Sequence, residues 1–264
     1  MKNGIIIKNI TDLRAKPDFR SERKSQLLFN EPVRIERYRN GYYQVIQPDG
    51  YSGWVNGNAV KILSATVLKR YLAAFKYRVR VKTAKIDKKR NDTGSMPAFL
   101  FYGTKVSYLS IRGNHCRLQD AGGNIFEISK NCLESIGRYE PIKRSDILKE
   151  AKKFLGVPYL WGGIGPFGLD CSGFVRTIFG AFNIELPRDS RDQYKFGQKI
   201  ALNNIKPADL LFFKGHVALA INRELFIHSS LGEGGVAISS LNPKADNFRK
   251  DLLDAYIGAR RVLP

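Results

Sequence analysis

The stretch "GLDCSGF", Gly168–Phe174, places one cysteine between an acidic residue and a serine-glycine pair, directly before an apolar run. The apolar residues of that run recur at helical spacing and predict a helix that begins at Cys171. They are Phe174, Val175, Ile178, Phe179 and Phe182. The sequence therefore predicts a thiol in the first turn of a helix.

That position favours reactivity. The first turn of a helix carries the positive end of the helix dipole and unpaired backbone N–H groups, which stabilise a thiolate and can stabilise an oxyanion. We therefore expect a lowered pKa for Cys171 and treat it as a candidate nucleophile. The alternative is a buried structural cysteine, but Asp170 and Ser172 are costly neighbours for a purely apolar position.

A cysteine nucleophile needs a base, and two histidines lie downstream in predicted strands. They are His216 in "GHVALAI" and His228 in "LFIHSS". If Ile221 faces Leu225 across the hairpin, His216 faces Ser230, and His228 is its diagonal neighbour on the same sheet face. A shift of one residue would put the two histidines on opposite faces, so the sequence leaves both arrangements open.

The chain around the cysteine changes from a helical to an extended pattern. After "RYEP" the apolar residues follow a helical period, with Ser145 or Asp146 as a possible N-cap. Beyond Pro207 the chain reads as strands, in "DLLFF", "HVALAI", "LFIHSS", "GVAISSL" and "YIGARRVL". Helices followed by an antiparallel sheet predict an α+β domain over residues 141–264.

The upstream half reads as two small all-β domains, residues 1–62 and 63–140. From Leu27 to Leu63, short alternating segments are separated by turns such as "RNG" and "PDG", which predicts a small antiparallel barrel. A weaker echo follows 72 residues later. It matches Gly41 with Gly113, Gly50 with Gly122, Trp54 with Phe126 and Val60 with Cys132. The echo places Cys132 at a core position and Cys116 near one, so we expect both to be inert buried thiols.

The amino-acid composition says more about the binding partners of the protein than about the reaction it could catalyse. Forty-four Lys and Arg against twenty-four Asp and Glu give a formal net charge of +20, which favours anionic partners. The three cysteines show neither CxxC nor zinc-ligand spacing, so neither a disulfide scaffold nor a metal site is expected. The first residues lack a secretory apolar run and no later run approaches a membrane span, which predicts a soluble, cytoplasmic protein. We also expect a monomer. A chain processed at a signal-peptide cleavage site would read the same way, so a secreted or cell-envelope location stays open.

Ordered motifs across the third domain resemble the NlpC/P60 cell-wall peptidases. The motifs are "PYLWGG", "LDCSGFV", "LPRDS", "KPADLLFF", "GHVALAI" and "FIHSS". The resemblance implies a papain-like cysteine peptidase, with Cys171 as nucleophile, His216 as general base and acid, and His228 as the residue that orients His216. It implies no metal and no organic cofactor.

The upstream motifs "LRAKP", "QLLFNEPV" and "GYSGWV" resemble bacterial SH3-like domains found beside wall hydrolases. Two SH3-like barrels before a papain-like domain are similar to a subgroup of the family, the γ-D-glutamyl-L-diamino acid endopeptidases. That likeness implies a peptidoglycan-derived substrate, L-Ala-γ-D-Glu-diamino acid with a free N-terminal alanine, and release of L-Ala-γ-D-Glu.

The same likeness implies a set of substrate-binding residues: Glu22, Tyr51, Tyr159, Asp170, Ser172, Asp189 and Ser190. Carboxylates suit the ammonium of the alanine, and hydroxyls suit the α-carboxylate of D-Glu. Alternatives remain for four of them. Glu22 can be a solvated surface residue, Tyr51 a barrel-core residue, and Asp189 or Ser190 the N-cap of the next helix.

Two other functions compete with this interpretation. Papain-like relatives include amidases and acyltransferases, which would keep the fold and change the reaction. An inert catalytic domain would leave a protein that binds wall polymers or nucleic acid. The segment Lys69–Arg90 carries ten Lys and Arg with Asp87 as its one acidic residue. Charge runs are usually solvated surfaces, so specific nucleic-acid binding is not expected.

Overall fold

The computed structural model describes residues 2–90, 96–137 and 141–263. The chain forms two compact units, Met1–Tyr139 and Glu140–Pro264. The first is rich in strands and the second combines helices with an antiparallel sheet, as the sequence predicts. The predicted boundary between residues 140 and 141 adjoins residues 138–140, which lie outside the described ranges. Among the described residues, no helix is both long and apolar enough to cross a membrane.

The first sheet is antiparallel, with seven strands in the order β3-β2-β6-β5-β4-β1-β7. The strands are β1 (Lys2–Ile6), β2 (Ile10–Arg14), β3 (Arg23–Leu28), β4 (Pro32–Arg39), β5 (Tyr42–Ile46), β6 (Ser52–Asn56) and β7 (Val60–Leu63). Val33 and Ile35 alternate with exposed Arg34 along β4, and this period of two turns one face towards the core. Where β6 crosses β2, a Cβ on Gly53 would lie 2.8 Å from the carbonyl oxygen of Arg14, so the close approach requires glycine.

A helix leads into a second sheet with the strand order β10-β14-β13-β12-β8-β15 and a separate pair, β9 and β11. The elements are α1 (Ala65–Ala73), β8 (Phe75–Val79), β9 (Thr83–Lys85), β10 (Lys88–Arg90), β11 (Phe99–Phe101), β12 (Lys105–Arg112), β13 (His115–Gln119), β14 (Ile125–Ser129) and β15 (Leu133–Ser135). Ser64 caps α1 by accepting a hydrogen bond from the Val67 N–H. Phe29 and Asn30, which follow β3, join the two sheets. Phe29 packs edge-on against Phe126, and the Asn30 side chain donates to the Lys105 carbonyl.

The two sheets repeat one arrangement, but the predicted offset of 72 residues is wrong by one. Five strands of the first sheet have a counterpart in the second that begins 73 residues later. The pairs are β1 with β8, β4 with β12, β5 with β13, β6 with β14, and β7 with β15. Gly50 therefore corresponds to Gly123, which shares its left-handed backbone (φ 86° and 89°), rather than to Gly122. Likewise Gly113 (φ 58°) takes the place of Asn40 (φ 50°). The predicted alignment paired glycine with glycine and was therefore wrong. Asparagine can occupy the same left-handed turn position as glycine, and the second copy has two adjacent glycines, Gly122 and Gly123.

The two cysteines of the first unit differ in burial. Cys116 lies inside the second sheet's core, whereas Cys132 is half-buried against it. Burial raises the pKa of both thiols, so both favour the neutral form.

The second unit contains helices packed on a six-stranded sheet with the order β18-β23-β19-β20-β21-β22. The elements are α2 (Arg144–Lys152), β16 (Ile164–Gly165), β17 (Gly168–Leu169), α3 (Cys171–Gly180), α4 (Ser190–Gln193), β18 (Gln198–Ile200), β19 (Leu210–Phe213), β20 (His216–Ala220), β21 (Leu225–Ser230), β22 (Gly235–Ser240), α5 (Lys250–Asp254) and β23 (Tyr256–Arg261). Helix α3 begins at Cys171, which confirms the prediction, and packs on β20 and β21. The predicted cap of α2 is wrong. Lys143 is the N-cap and makes no side-chain capping bond, while Ser145 and Asp146 lie in the first turn, where the Asp146 charge suits the helix dipole.

Candidate active site

The start of α3 is fixed by Asp170, which caps the helix. Its Oδ1 accepts a hydrogen bond from the Gly173 N–H at 2.6 Å and its Oδ2 one from the Gly162 N–H at 2.9 Å. A Cβ on Gly173 would lie 2.2 Å from the carbonyl oxygen of Gly163, so only glycine fits there. The motif "DCSG" thus combines a cap and a close backbone approach, and these place Cys171 at the first helical position.

A buried arginine completes this side of the site. The Arg188 side chain is 1% exposed and donates to both Asp170 oxygens, at 2.6 Å from Nη2 and 3.2 Å from Nη1. Its Nη1 also donates to the Ser172 hydroxyl at 3.0 Å. The sequence interpretation missed Arg188, although it lies in the motif "LPRDS", because only the next two residues were taken from it. Its place in a motif that supplies two other predicted site residues was the available indication.

The two histidines meet on the sheet side of the site. Strands β20 and β21 pair Leu219 with Ile227 and Ala220 with Phe226, which confirms the first of the two predicted registers. His216 Nε2 consequently lies 2.8 Å from Nδ1 of the fully buried His228. This contact leaves Nδ1 as the ring nitrogen of His216 available to another group.

The polar contacts continue beyond the histidines. His228 Nε2 lies 3.0 Å from the hydroxyl oxygen of Ser239, on β22. That hydroxyl donates to Glu233 Oε1 at 3.4 Å, and Arg249 Nη1 donates to the same oxygen at 2.7 Å. The sequence interpretation missed these three residues. Extending the hairpin argument to β22, where His228 pairs with Ala237, would have put Ser239 diagonally opposite the histidine.

Burial sets the protonation of the site, and it reverses the prediction for the thiol. Burial, followed by the nearby Asp170 carboxylate, raises the pKa of Cys171 to about 11, against hydrogen bonds from the backbone N–H groups of Val217 and Ser172 that favour the thiolate. The expected lowering of the Cys171 pKa is therefore wrong. Burial also lowers the pKa of His216 to about 4 and that of His228 to about 3. The resting site holds a neutral thiol and two neutral imidazoles.

The other predicted residues of this unit lie near the thiol or at the next helix. Tyr159 is half-buried, and burial, followed by electrostatic interaction with Cys171 and Asp170, raises its pKa to about 12. Asp189 occupies the N-cap position of α4 and Ser190 its first position, but the Asp189 side chain makes no capping hydrogen bond. The alternative role of Asp189 as a helix cap is therefore not supported by a hydrogen bond from its side chain to the first turn of α4.

Glu22 and Tyr51 lie in the first unit. Glu22 is exposed in the residues before β3, and its carbonyl accepts a hydrogen bond from the Ala15 N–H. Tyr51 is half-buried against the core of the first sheet, with the Lys24 ammonium 4.7 Å from its ring centroid. Their roles in substrate binding stay predictions. Within residues 2–90, 96–137 and 141–263, no group of three or more His, Cys, Asp and Glu side chains is arranged to hold a metal ion.

Known proteins share both parts of the chain. A model of the NlpC/P60 family matches residues 156–252, which include the cysteine and both histidines, and one of the bacterial dipeptidyl-peptidase SH3 domain matches residues 13–60. A γ-D-glutamyl-L-lysine dipeptidyl-peptidase of Bacillus subtilis is 30% identical over 259 residues, covering 87% of this chain and 79% of that protein. The chain belongs to the NlpC/P60 family. As a member of that family, it is a cysteine peptidase.

Two further likenesses extend over nearly the whole chain. Dipeptidyl-peptidase 6 of Lysinibacillus sphaericus is 27% identical over 260 residues, covering 95% of this chain and 96% of that protein. The crystal structure of an NlpC/P60 family protein from Bacillus cereus superposes with a TM-score of 0.86 at 24% identity, over 99% of this chain and all of that one. Together with the family matches, this confirms the predicted fold class, an SH3-type strand-rich region followed by a papain-like domain.

Proposed function

We propose that this peptidase hydrolyses the bond between γ-D-glutamate and the diamino acid in peptidoglycan-derived peptides with a free N-terminal L-alanine, and releases L-Ala-γ-D-Glu. The observation that carries the proposal is the pairing of His216 with His228 beside the strand that donates a backbone N–H to the Cys171 sulfur. The names of the Bacillus subtilis and Lysinibacillus sphaericus relatives support the substrate class.

The neutral resting state suits a transfer of one proton in each half of the reaction. As the Cys171 sulfur attacks the γ-carbonyl carbon, His216 Nδ1 takes the thiol proton, and the backbone N–H groups at the start of α3 stabilise the oxyanion. Burial keeps the pKa of His216 low, so its imidazolium readily gives the proton to the departing amine as the C–N bond breaks. Water then attacks the thioester, His216 takes its proton, and the thiol re-forms as the dipeptide leaves.

Polar side chains around the starts of α3 and α4 are suited to position the substrate. Arg188 holds the Asp170 carboxylate in place before substrate arrives, so that carboxylate needs no reorganisation when it meets an ammonium group. We assign the ammonium of the alanine to Asp170 and Asp189, Tyr159 to the peptide, and the α-carboxylate of D-Glu to Ser172 and Ser190. The roles of Glu22 and Tyr51, in the first unit, stay predictions. The cellular location and the oligomeric state stay predictions.

The proposal is tested with defined peptides. L-Ala-γ-D-Glu-diaminopimelate and L-Ala-γ-D-Glu-L-Lys are each incubated with the protein, and mass spectrometry is expected to find L-Ala-γ-D-Glu and the free diamino acid from at least one. The Cys171→Ala variant should release neither, and its circular dichroism spectrum should match that of the native protein. Acetylating the alanine nitrogen should abolish turnover, because the ammonium is lost. Equal rates on blocked and free peptides would disprove the ammonium pocket, and no cleavage of either peptide by the native protein would disprove the peptidase specificity.

A further inference from the structure

The histidine pair is the first half of a longer chain of polar contacts. His228 Nε2 lies 3.0 Å from Ser239 Oγ, and the Ser239 hydroxyl donates to Glu233 Oε1 at 3.4 Å. Ser239 is buried, whereas the Glu233 side chain is 32% exposed. Arg249 fixes Glu233 through a 2.7 Å hydrogen bond and is itself held by two hydrogen bonds to Asp251. This series of hydrogen bonds therefore ends on a charged carboxylate whose position is fixed.

A charged carboxylate at one end of this series sets the donor-to-acceptor direction of every hydrogen bond in it. A carboxylate only accepts hydrogen bonds, so the Ser239 hydrogen points to Glu233, and the serine oxygen must accept from His228. His228 then carries its hydrogen on Nε2 and presents Nδ1 as an acceptor. His216 must donate from Nε2 to that nitrogen, which leaves its Nδ1 with a free lone pair.

The opposite direction would disable the base. If Ser239 donated to His228 Nε2, the hydrogen of His228 would move to Nδ1 and point at His216 Nε2. His216 would then carry its own hydrogen on Nδ1, the nitrogen that must accept the thiol proton. A neutral imidazole has one donor and one acceptor nitrogen, so the contact between the two histidines permits one direction at a time.

The other ring contacts of His228 do not decide between the two tautomers. Phe226 packs edge-on against the His228 ring at 4.9 Å between centroids, and an apolar ring has no preference between a protonated Nδ1 and a protonated Nε2 strong enough to compete with a hydrogen bond. The choice is therefore left to the contact at Ser239.

We propose that Ser239 and Glu233 are positioning residues that select the tautomer of His216 with a free Nδ1. The inference rests on the proposed role of His216 as base, but it concerns the resting protein and is measured without substrate. Glu233 acts three hydrogen bonds from the base and touches neither substrate nor thiol.

Nitrogen NMR tests the proposal directly, because the chain contains only three histidines. In protein labelled with ¹⁵N-histidine, long-range ¹H–¹⁵N spectra identify the ring nitrogen that carries hydrogen. Native protein should show His216 and His228 both protonated on Nε2. In Ser239→Ala and in Glu233→Ala, a population protonated on Nδ1 should appear for both rings. Ser239→Thr keeps the hydroxyl and should restore the native pattern.

Matched controls separate tautomer selection from general disturbance. Ser240 is the next residue on β22, is equally buried and accepts a hydrogen bond from the Asn242 N–H, so Ser240→Ala loses a similar contact without touching a histidine. Glu224, at the other end of β21, accepts from the Asn242 side chain and is the matching carboxylate. Ser240→Ala and Glu224→Ala should keep the native tautomers.

Activity gives a second, independent result. With a peptide that the native protein cleaves, Ser239→Ala and Glu233→Ala should lower kcat by about tenfold, with little change in KM, whereas Ser239→Thr and the two controls should stay close to native. Native tautomers in both Ser239→Ala and Glu233→Ala would overturn the inference, whatever their activity. Glu233→Ala changes an exposed loop residue, so it keeps the test decisive if Ser239→Ala fails to fold. A native protein that cleaves no peptide would contradict the proposed substrate and leave the tautomer result standing.

Discussion

The two polar networks that flank Cys171 are built on opposite principles. On the helix side, Asp170 and Arg188 form a buried ion pair held by short charge-assisted hydrogen bonds. On the sheet side, His216 and His228 are kept neutral by burial and share one hydrogen between two nitrogens 2.8 Å apart. One network holds charge in a fixed place, and the other holds a proton that can move.

The difference follows from what each network must do. A buried ion pair is expensive to desolvate, and it persists only where each charge is matched and its hydrogen bonds are satisfied, which makes it rigid. A buried neutral imidazole avoids that cost and can accept a proton with little rearrangement of its neighbours. The comparison predicts that damage to the helix side lowers stability, whereas damage to the sheet side lowers the rate of reaction.

The largest expected effect comes from removing the charge that balances Asp170. Arg188→Met leaves a buried carboxylate without its cation, so the free energy of unfolding should fall by about 3–5 kcal/mol. Urea denaturation followed by circular dichroism measures the change. Arg191→Met, which removes an exposed arginine three positions along the chain, is the matched control and should stay within about 0.5 kcal/mol of native. Equal midpoints for the two variants would show that the ion pair does not support the start of α3.

Sequence reasoning found the residues of the site more reliably than their electrostatics. The cysteine at a helix start and the register of the histidine hairpin follow from local spacing, and the short turn between Ile221 and Leu225 fixes the latter. The pKa of Cys171 does not follow from local spacing. The helix dipole is visible in the sequence, but the burial that outweighs it depends on how β20 covers the first turn of α3. Arg188 was not identified as a site residue for the same reason, because the burial of a charged side chain is visible only in the three-dimensional structure.

The strand-rich region shows a different limit. Turn residues and alternating segments located β4 to β7 of the first sheet, yet the repeat that extends this pattern to the second sheet was misaligned by one residue. Left-handed turn positions accept asparagine as well as glycine, so Asn40 and Gly113 are equivalent despite their different side chains. The contacts of Phe29 and Asn30 with the second sheet were not predictable, because they join segments far apart in sequence.

A smaller effect, on rate alone, is expected from the sheet side. His228→Phe removes the acceptor for His216 Nε2 but keeps a buried ring of similar size beside Phe226, so stability should change little while kcat falls by about a hundredfold. His228→Gln retains a side-chain acceptor and should recover part of the rate. Peptide cleavage and thermal unfolding of the same samples measure both quantities. A stability loss as large as that of Arg188→Met would erase the distinction between the two networks.

The smallest effect is a pH dependence of stability that only the histidine side produces. Because burial lowers the folded-state pKa of His216 to about 4 and of His228 to about 3, from about 6.5 when unfolded, the unfolded chain binds protons first as the pH falls. Their contribution is complete above pH 6.5 and is lost progressively as the pH falls from there through about 4 for His216 and about 3 for His228. Arg249 adds to the lowering at both rings and Asp251 opposes it, and both charges remain in His228→Phe. The native protein should therefore lose about 2 kcal/mol more than His228→Phe between pH 7 and pH 5, in urea titrations at each pH. Parallel curves for the two proteins would mean that the imidazoles are not held neutral by burial, and the contrast with the charged network would fail at its starting point.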